Sequence, residues 1–129
     1  MIILDACVLI AFLEEADASH DAAVRLVLEH AGEDFGASTI TIAEVLVGPA
    51  KAGADKLSAA QRALGQLIRY EVEVSAGAAP DVARLRADTG LKMPDCLVLR
   101  AAGQSDGRLA TFDVRLIRAA ENAGYTVFS

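Results

Sequence analysis

Short apolar runs alternate along this chain with longer stretches whose apolar positions recur every three or four residues. The first pattern is that of buried strands and the second that of helices packed on them. Ile2–Asp5 reads as a strand, followed by a helix from about Val8 to Glu14. A second helix is predicted from about Ser19 to Ala31, with Val24, Val27 and Leu28 on one face. A strand at Phe35–Ser38, a helix over Thr39–Ala52 and a helix from Ser58 to Ile68 follow, with Ser58 as N-cap. Tyr70–Ser75 reads YEVEVS, a period-two alternation that suggests an edge strand with one solvated face. A helix over Ala79–Thr89 is stopped by Gly90, and Pro94 and Asp95 open another that runs to about Ala102. After a turn at Ser105-Asp106-Gly107 come a strand at Arg108–Thr111, a helix at Val114–Asn122 and a strand at Tyr125–Phe128.

Strands separated by helices predict an α/β fold, a three-layer α/β/α sandwich around a central parallel sheet of five strands. Ligand sites of such sheets lie beyond the carboxyl ends of the strands, where the strand order reverses. Asp5 ends the first strand and Asp113 follows the fourth, so both project toward that edge.

Asp5 stands in MIILDACVLI, among apolar residues only. Glu44 in TIAEVLV, Asp95 in KMPDCLVL and Asp113 in LATFDV repeat the anomaly. The helix neighbours of Glu44 are Ile40, Thr41, Val47 and Gly48; those of Asp95 are Leu91, Val98 and Leu99. Both acids are therefore expected on or beside inward-facing stripes. Other acids fall in ordinary settings: Glu14, Glu15, Asp17, Glu33, Asp34 and Asp55 in polar or turn segments, Glu71 and Glu73 on the outer face of a strand. Each of the four also has a plain alternative. Asp5 and Asp113 can cap the helices that follow them, Asp95 can serve first-turn helix chemistry, and Glu44 can turn its carboxylate outward at a border. Taken together at one end of one sheet, they favour a shared cation, because crowded carboxylates stay ionised only when something positive compensates. Oxygen ligands without His or thiolate partners select Mg²⁺ or Mn²⁺. Neither His20 nor His30 lies near any of the four acids in sequence. Such an ion activates water and stabilises charge on a phosphoryl oxygen, which makes phosphodiester hydrolysis the natural reaction.

Composition narrows the picture further. The 129 residues are 53% hydrophobic, enough for a sizeable core and against disorder. No apolar stretch approaches a membrane span of about 20 residues, and the opening run is too short and lacks the basic leader of a signal peptide. Cys7 and Cys96 are read as reduced thiols in a cytoplasmic protein, Cys7 as a small buried filler. The net charge of −6 excludes a passive electrostatic nucleic-acid binder. It excludes a metal-using enzyme far less, since bound cations would cancel most of the four charges.

These residues resemble the PIN-domain ribonucleases of the VapC toxin type. The resemblance rests on Asp5 in ILDACVLIAFL, Glu44 in TIAEVLVG, Asp95 in TGLKMPDCLVLRAA and Asp113 in LATFDVRL, in that order and over essentially the whole chain. It implies one PIN-like domain over residues 1–129, strand order 3-2-1-4-5, and a Mg²⁺- or Mn²⁺-dependent endoribonuclease. It also implies an RNA substrate, a cognate antitoxin seated near the Ser19–Ala31 and Thr39–Ala52 helices, and a homodimer. Asp5 and Asp95 are the first candidates for direct metal ligands, with Glu44 and Asp113 acting through waters or a second ion. Thr111 is a candidate to hydrogen-bond a ligand carboxylate, and Arg115 to contact a substrate phosphate. The chain departs from the family at Cys7, where relatives often carry Ser, Thr or Asn. The other classes weighed are a phosphoacceptor or phosphatase on a similar sheet, and a non-catalytic PIN-like binding module. The first lacks the second Asp two residues after Asp5, as well as the acidic pair and late Lys of a receiver domain. The second is disfavoured by the intact set of four acids.

Overall fold

A computed structural model describes residues 1–129. Its elements are β1 (Ile2–Leu4), α1 (Ala6–Leu13), α2 (His20–Glu29), β2 (Phe35–Ser38), α3 (Thr39–Ala52), α4 (Ala54–Leu67), β3 (Ile68–Val72), α5 (Ala79–Thr89), α6 (Met93–Gly103), β4 (Arg108–Ala110), α7 (Val114–Asn122) and β5 (Thr126–Phe128). The five strands form one parallel sheet in the order β3-β2-β1-β4-β5. This is the predicted α/β/α sandwich and strand order.

The apolar runs follow from burial on both faces. Ile2 and Leu4 face a core built with Val8, Leu9, Ala23, Leu26, Val45 and Leu64, contributed by α1 to α4. Ile3 faces the opposite core, with Val82, Val98, Leu99, Leu109 and Leu116 from α5, α6, β4 and α7. A central strand sandwiched this way has no solvated face, so it reads as continuous IIL rather than as an alternation. Burying each such Leu or Ile stabilises the fold by about 1.5–3 kcal/mol.

From β1 the chain first builds outward through β2 to β3, then returns to place β4 on the other side of β1. The reversal of strand order therefore falls between β1 and β4, and their pairing continues through the Asp5 N–H, which donates to the Ala110 carbonyl at 3.0 Å. No helix is long and apolar enough to cross a membrane.

Three expectations need correction. The strand expected over Tyr70–Ser75 is Ile68–Val72, because its partner β2 ends at Ser38, which pairs with Val72; beyond that point no ladder remains. It is nonetheless the outermost strand. The helix expected to start at Ser58 starts at Ala54. Gly53, at φ 123°, breaks the chain after α3 and accepts the first helical bond from Leu57 at 3.0 Å, leaving Ser58 exposed within the helix. In α2 the packed residues are Ala23, Leu26 and Val27, while Leu28 is 68% exposed, so the face predicted from Val24, Val27 and Leu28 is turned.

Candidate functional site

The ends of β1 and β4 form the floor of the site. Asp5 leaves β1 with extended backbone and caps α1: its Oδ1 accepts the Ala6 N–H at 2.7 Å. The capping alternative and a place in the site are thus compatible, since capping uses one acceptor position of Oδ1. Oδ2 accepts from the Thr111 hydroxyl at 2.7 Å and from the Cys7 thiol at 3.1 Å. Thr111 Oγ1 in turn accepts the Asp113 N–H at 3.1 Å, and Cys7 Sγ accepts the Phe112 N–H at 3.3 Å. Two parallel relays, one through a hydroxyl and one through a thiol, therefore lock Asp5 to the backbone after β4. Only 6% of Asp5 is exposed, a burial a carboxylate tolerates because these donors replace water. An ionised carboxylate offers about four lone-pair positions, so one of them stays open.

Cys7 is more than filler: it is half-buried and joins the two strand ends. Burial, then the charge of Asp5, pushes its thiol up to about 11, so near neutrality it remains an S–H donor. Sequence reasoning missed this role, and the one available signal was the spacing of two from Asp5.

The other acids ring this floor. Asp95 lies in the first turn of α6 and is half-buried. Burial, then the charges of Asp5 and Asp113, raise its carboxyl above the usual range, and Lys92 and Arg115 partly oppose the shift. Asp113 is exposed and caps α7, its Oδ1 accepting the Arg115 N–H at 2.8 Å and the Leu116 N–H at 3.0 Å. Glu44 corrects the sequence expectation. It is exposed, and the apolar stripe beside it faces solvent, with Ile40 37% and Val47 50% exposed. Its carboxyl is still raised, by partial loss of water and then by Asp5 and Asp95.

The four acids are thus close enough to repel one another in an overlapping chain: Glu44 with Asp5 and Asp95, Asp95 with Asp5 and Asp113. No three His, Cys, Asp or Glu side chains converge closely enough to hold a metal ion between them. The donor set fits a hard cation that keeps much of its own water, as Mg²⁺ does, better than a dehydrated one. A cleft of about 300 Å³ lies elsewhere, between α3, α4 and β3, and contains none of the four acids.

Thr111 carries the hydroxyl relay while fully buried. Thr111→Val should therefore lower stability by about 1–2 kcal/mol, because it leaves the Asp113 N–H without its acceptor and Asp5 without a donor. Urea denaturation of the two proteins measures this directly, and an unchanged midpoint would show that the relay contributes nothing.

Solved structures share this architecture. The chain is similar to Mycobacterium tuberculosis VapC20, a sarcin–ricin loop cleaving toxin, with a TM-score of 0.73 and 19% identity over 98% of this chain and 97% of that one. It is similar to FitAcB from Neisseria gonorrhoeae, with a TM-score of 0.75 and 23% identity over 100% and 97% of the two chains. A toxin–antitoxin complex from Klebsiella pneumoniae matches with a TM-score of 0.67 and 24% identity over 88% and 87%. No curated protein matches the sequence. The family model described as PIN domain matches residues 2–122, from the first strand through the last helix, and the chain belongs to the PIN domain family.

Proposed function

We propose that this protein is a Mg²⁺- or Mn²⁺-dependent endoribonuclease that hydrolyses RNA phosphodiesters, and that it is the toxin of a type II toxin–antitoxin pair. The observation that carries the reading is that Thr111 joins Asp5 to the Asp113 backbone at the strand-order reversal of a PIN fold, with the carboxyls of Glu44 and Asp95 shifted upward in part by Asp5. Its likeness to a sarcin–ricin loop cleaving toxin and to a toxin–antitoxin complex supports the choice of substrate and partner.

Asp5 and Asp95 would hold the ion directly, and Glu44 and Asp113 through its waters or through a second ion. When bound, the metal supplies an acidified water and positive charge beside the phosphoryl oxygen. The protein's own part is positional. Thr111 and Cys7 fix the Asp5 carboxylate in one orientation. The N-terminus of α7 holds Asp113 in place, and Arg115, close enough to act on Asp95, takes the substrate phosphate. The same reading places the protein in the cytoplasm as a homodimer. It seats the antitoxin near α2 and α3.

The test is cleavage of total RNA by the purified protein. Cutting should appear with Mg²⁺ or Mn²⁺ and vanish with EDTA. RNA left intact under both conditions would instead make the chain a PIN-like binding module without catalytic function.

A further inference from the structure

Charge around the acidic centre is distributed on two unequal flanks. On one, Glu44 shares a shallow recess with Glu14, Ile10 and Leu13, with no cation among its lining residues. On the other, Lys92 and Arg115 approach Asp95. From there a cleft of about 350 Å³ opens between the turn after α5 and the exposed face of α7, lined by Asp88, Leu91, Arg115, Arg118 and Asn122 among others.

Of the seven other arginines, three are engaged by acids: Arg69 pairs with Asp34, Arg84 with Asp81, and Arg108 with Glu33. Arg86 and Arg100 donate to uncharged oxygens, and Arg25 and Arg62, also without an acid partner, lie outside this cleft. The two in this cleft have no acid partner and stand together in one recess. Arg115 donates from its guanidinium only to the Gly90 carbonyl, at 3.3 Å, and Arg118 makes neither an ion pair nor a hydrogen bond. They are three residues apart on a helix, so they share a face. Asp88, the one carboxylate on the cleft wall, does not balance two guanidiniums. In a chain of net charge −6, two unneutralised arginines in a recess beside a carboxylate centre fit an anion that must reach that centre.

We propose that this cleft is a second phosphate subsite, in which Arg118, with Arg115, grips a backbone phosphodiester of single-stranded RNA on one flank of the bond to be cut. The inference rests on the endoribonuclease reading above and extends it: the Glu14–Glu44 flank repels the backbone, so the RNA runs from the centre over α7 alone. The guanidiniums hold the strand through its phosphates, a grip that any sequence satisfies.

The test measures binding of a 12-nucleotide single-stranded RNA by fluorescence anisotropy in EDTA, over a range of salt, alongside steady-state cleavage with Mg²⁺. Arg118→Glu should weaken binding by about fivefold or more and flatten the slope of log K against log salt by about 0.7, the loss of one phosphate contact. It should raise KM by more than it lowers kcat, and Arg118→Lys should recover most of the loss. Arg62→Glu, the same charge change on exposed α4, should leave both measurements at wild-type values. The subsite is overturned if the wild type binds no RNA, or if Arg118→Glu and Arg62→Glu behave alike. RNA cut by the wild type with Arg118→Glu binding normally would remove the subsite and keep the nuclease. An Arg118 effect on binding without any cutting would keep the subsite and remove the nuclease.

Discussion

Asp5→Asn is expected to reduce metal-dependent RNA cleavage by more than about 100-fold, since even residues that merely orient metal ligands are worth 10–100-fold. The substitution keeps the shape of the side chain and removes its charge. It also disturbs the relays. The carboxylate accepts from Ala6, Thr111 and Cys7, whereas an amide offers a single acceptor oxygen and turns an NH₂ group toward donors on one side or the other. A mismatched buried hydrogen bond costs about 1–3 kcal/mol, but losing the negative charge relieves Glu44 and Asp95 and offsets part of that. The fold should therefore survive while activity is lost. Cleavage rates and a thermal melt, taken on the same preparation, separate the two effects. Activity within tenfold of wild type would remove Asp5 from the chemistry.

The second expected result is a stability that depends on pH and metal together. Glu44 and Asp95 hold their protons to higher pH in the folded chain than in the unfolded one. Their contribution is fully present below the unfolded carboxyl range, near pH 4, and is lost as pH rises through their raised folded values. Glu33 acts in the opposite sense. The hydrogen bond from Arg108, then that from His30, lowers its carboxyl from 4.5 to about 2, so its contribution is present above 4.5 and lost as pH falls toward 2. Between them these groups predict a metal-free protein that loses stability at both ends, with the acidic centre responsible for the loss on the rising side. A divalent cation binds the ionised carboxylates and should restore stability there. At a metal concentration about 100 times the dissociation constant the gain is about 2.7 kcal/mol, or roughly 10 °C in Tm for a domain of this size. At about pH 4.5, where protons compete for the same oxygens, the shift should be much smaller. Melting curves with Mn²⁺ and EDTA at both pH values check this. A Tm that ignores the metal even above the raised carboxyl range of Glu44 and Asp95 would end its assignment to these acids.

Local patterns in the sequence located elements wherever local chemistry decides them. Ser38 ends β2 and caps α3 through its side chain, accepting the Thr41 N–H at 3.1 Å, so the boundary between strand and helix is written into one residue. Gly90, at φ 69°, ends α5 for an equally local reason. Elements decided by a distant partner were harder to read. The alternation of YEVEVS continues past Val72, but the length of β2 determines where pairing stops. The direction in which Leu28 points depends on which helices surround α2. The acidic centre divides the same way. Asp5 is conspicuous because strand and helix around it are buried, and Asp95 because Leu91, Val98 and Leu99 are. The neighbours of Glu44 misled: Ile40 and Val47 are apolar and yet exposed. The part played by Cys7 needs the pairing of β1 with β4, two segments more than 100 positions apart, which no nearby pattern encodes.

That same pairing governs when the surroundings of Asp5 are complete. Ile3 finds its neighbour Leu109, and Asp5 its hydroxyl donor Thr111, only after most of the polypeptide has been made. Contacts of such long range form late and slowly. A nascent chain emerging from the ribosome thus carries Asp5 for most of its synthesis without the segment that orients it. A chain cut short ahead of residue 108 would never gain that segment. The setting of Asp5 is therefore completed only when β4 pairs with β1.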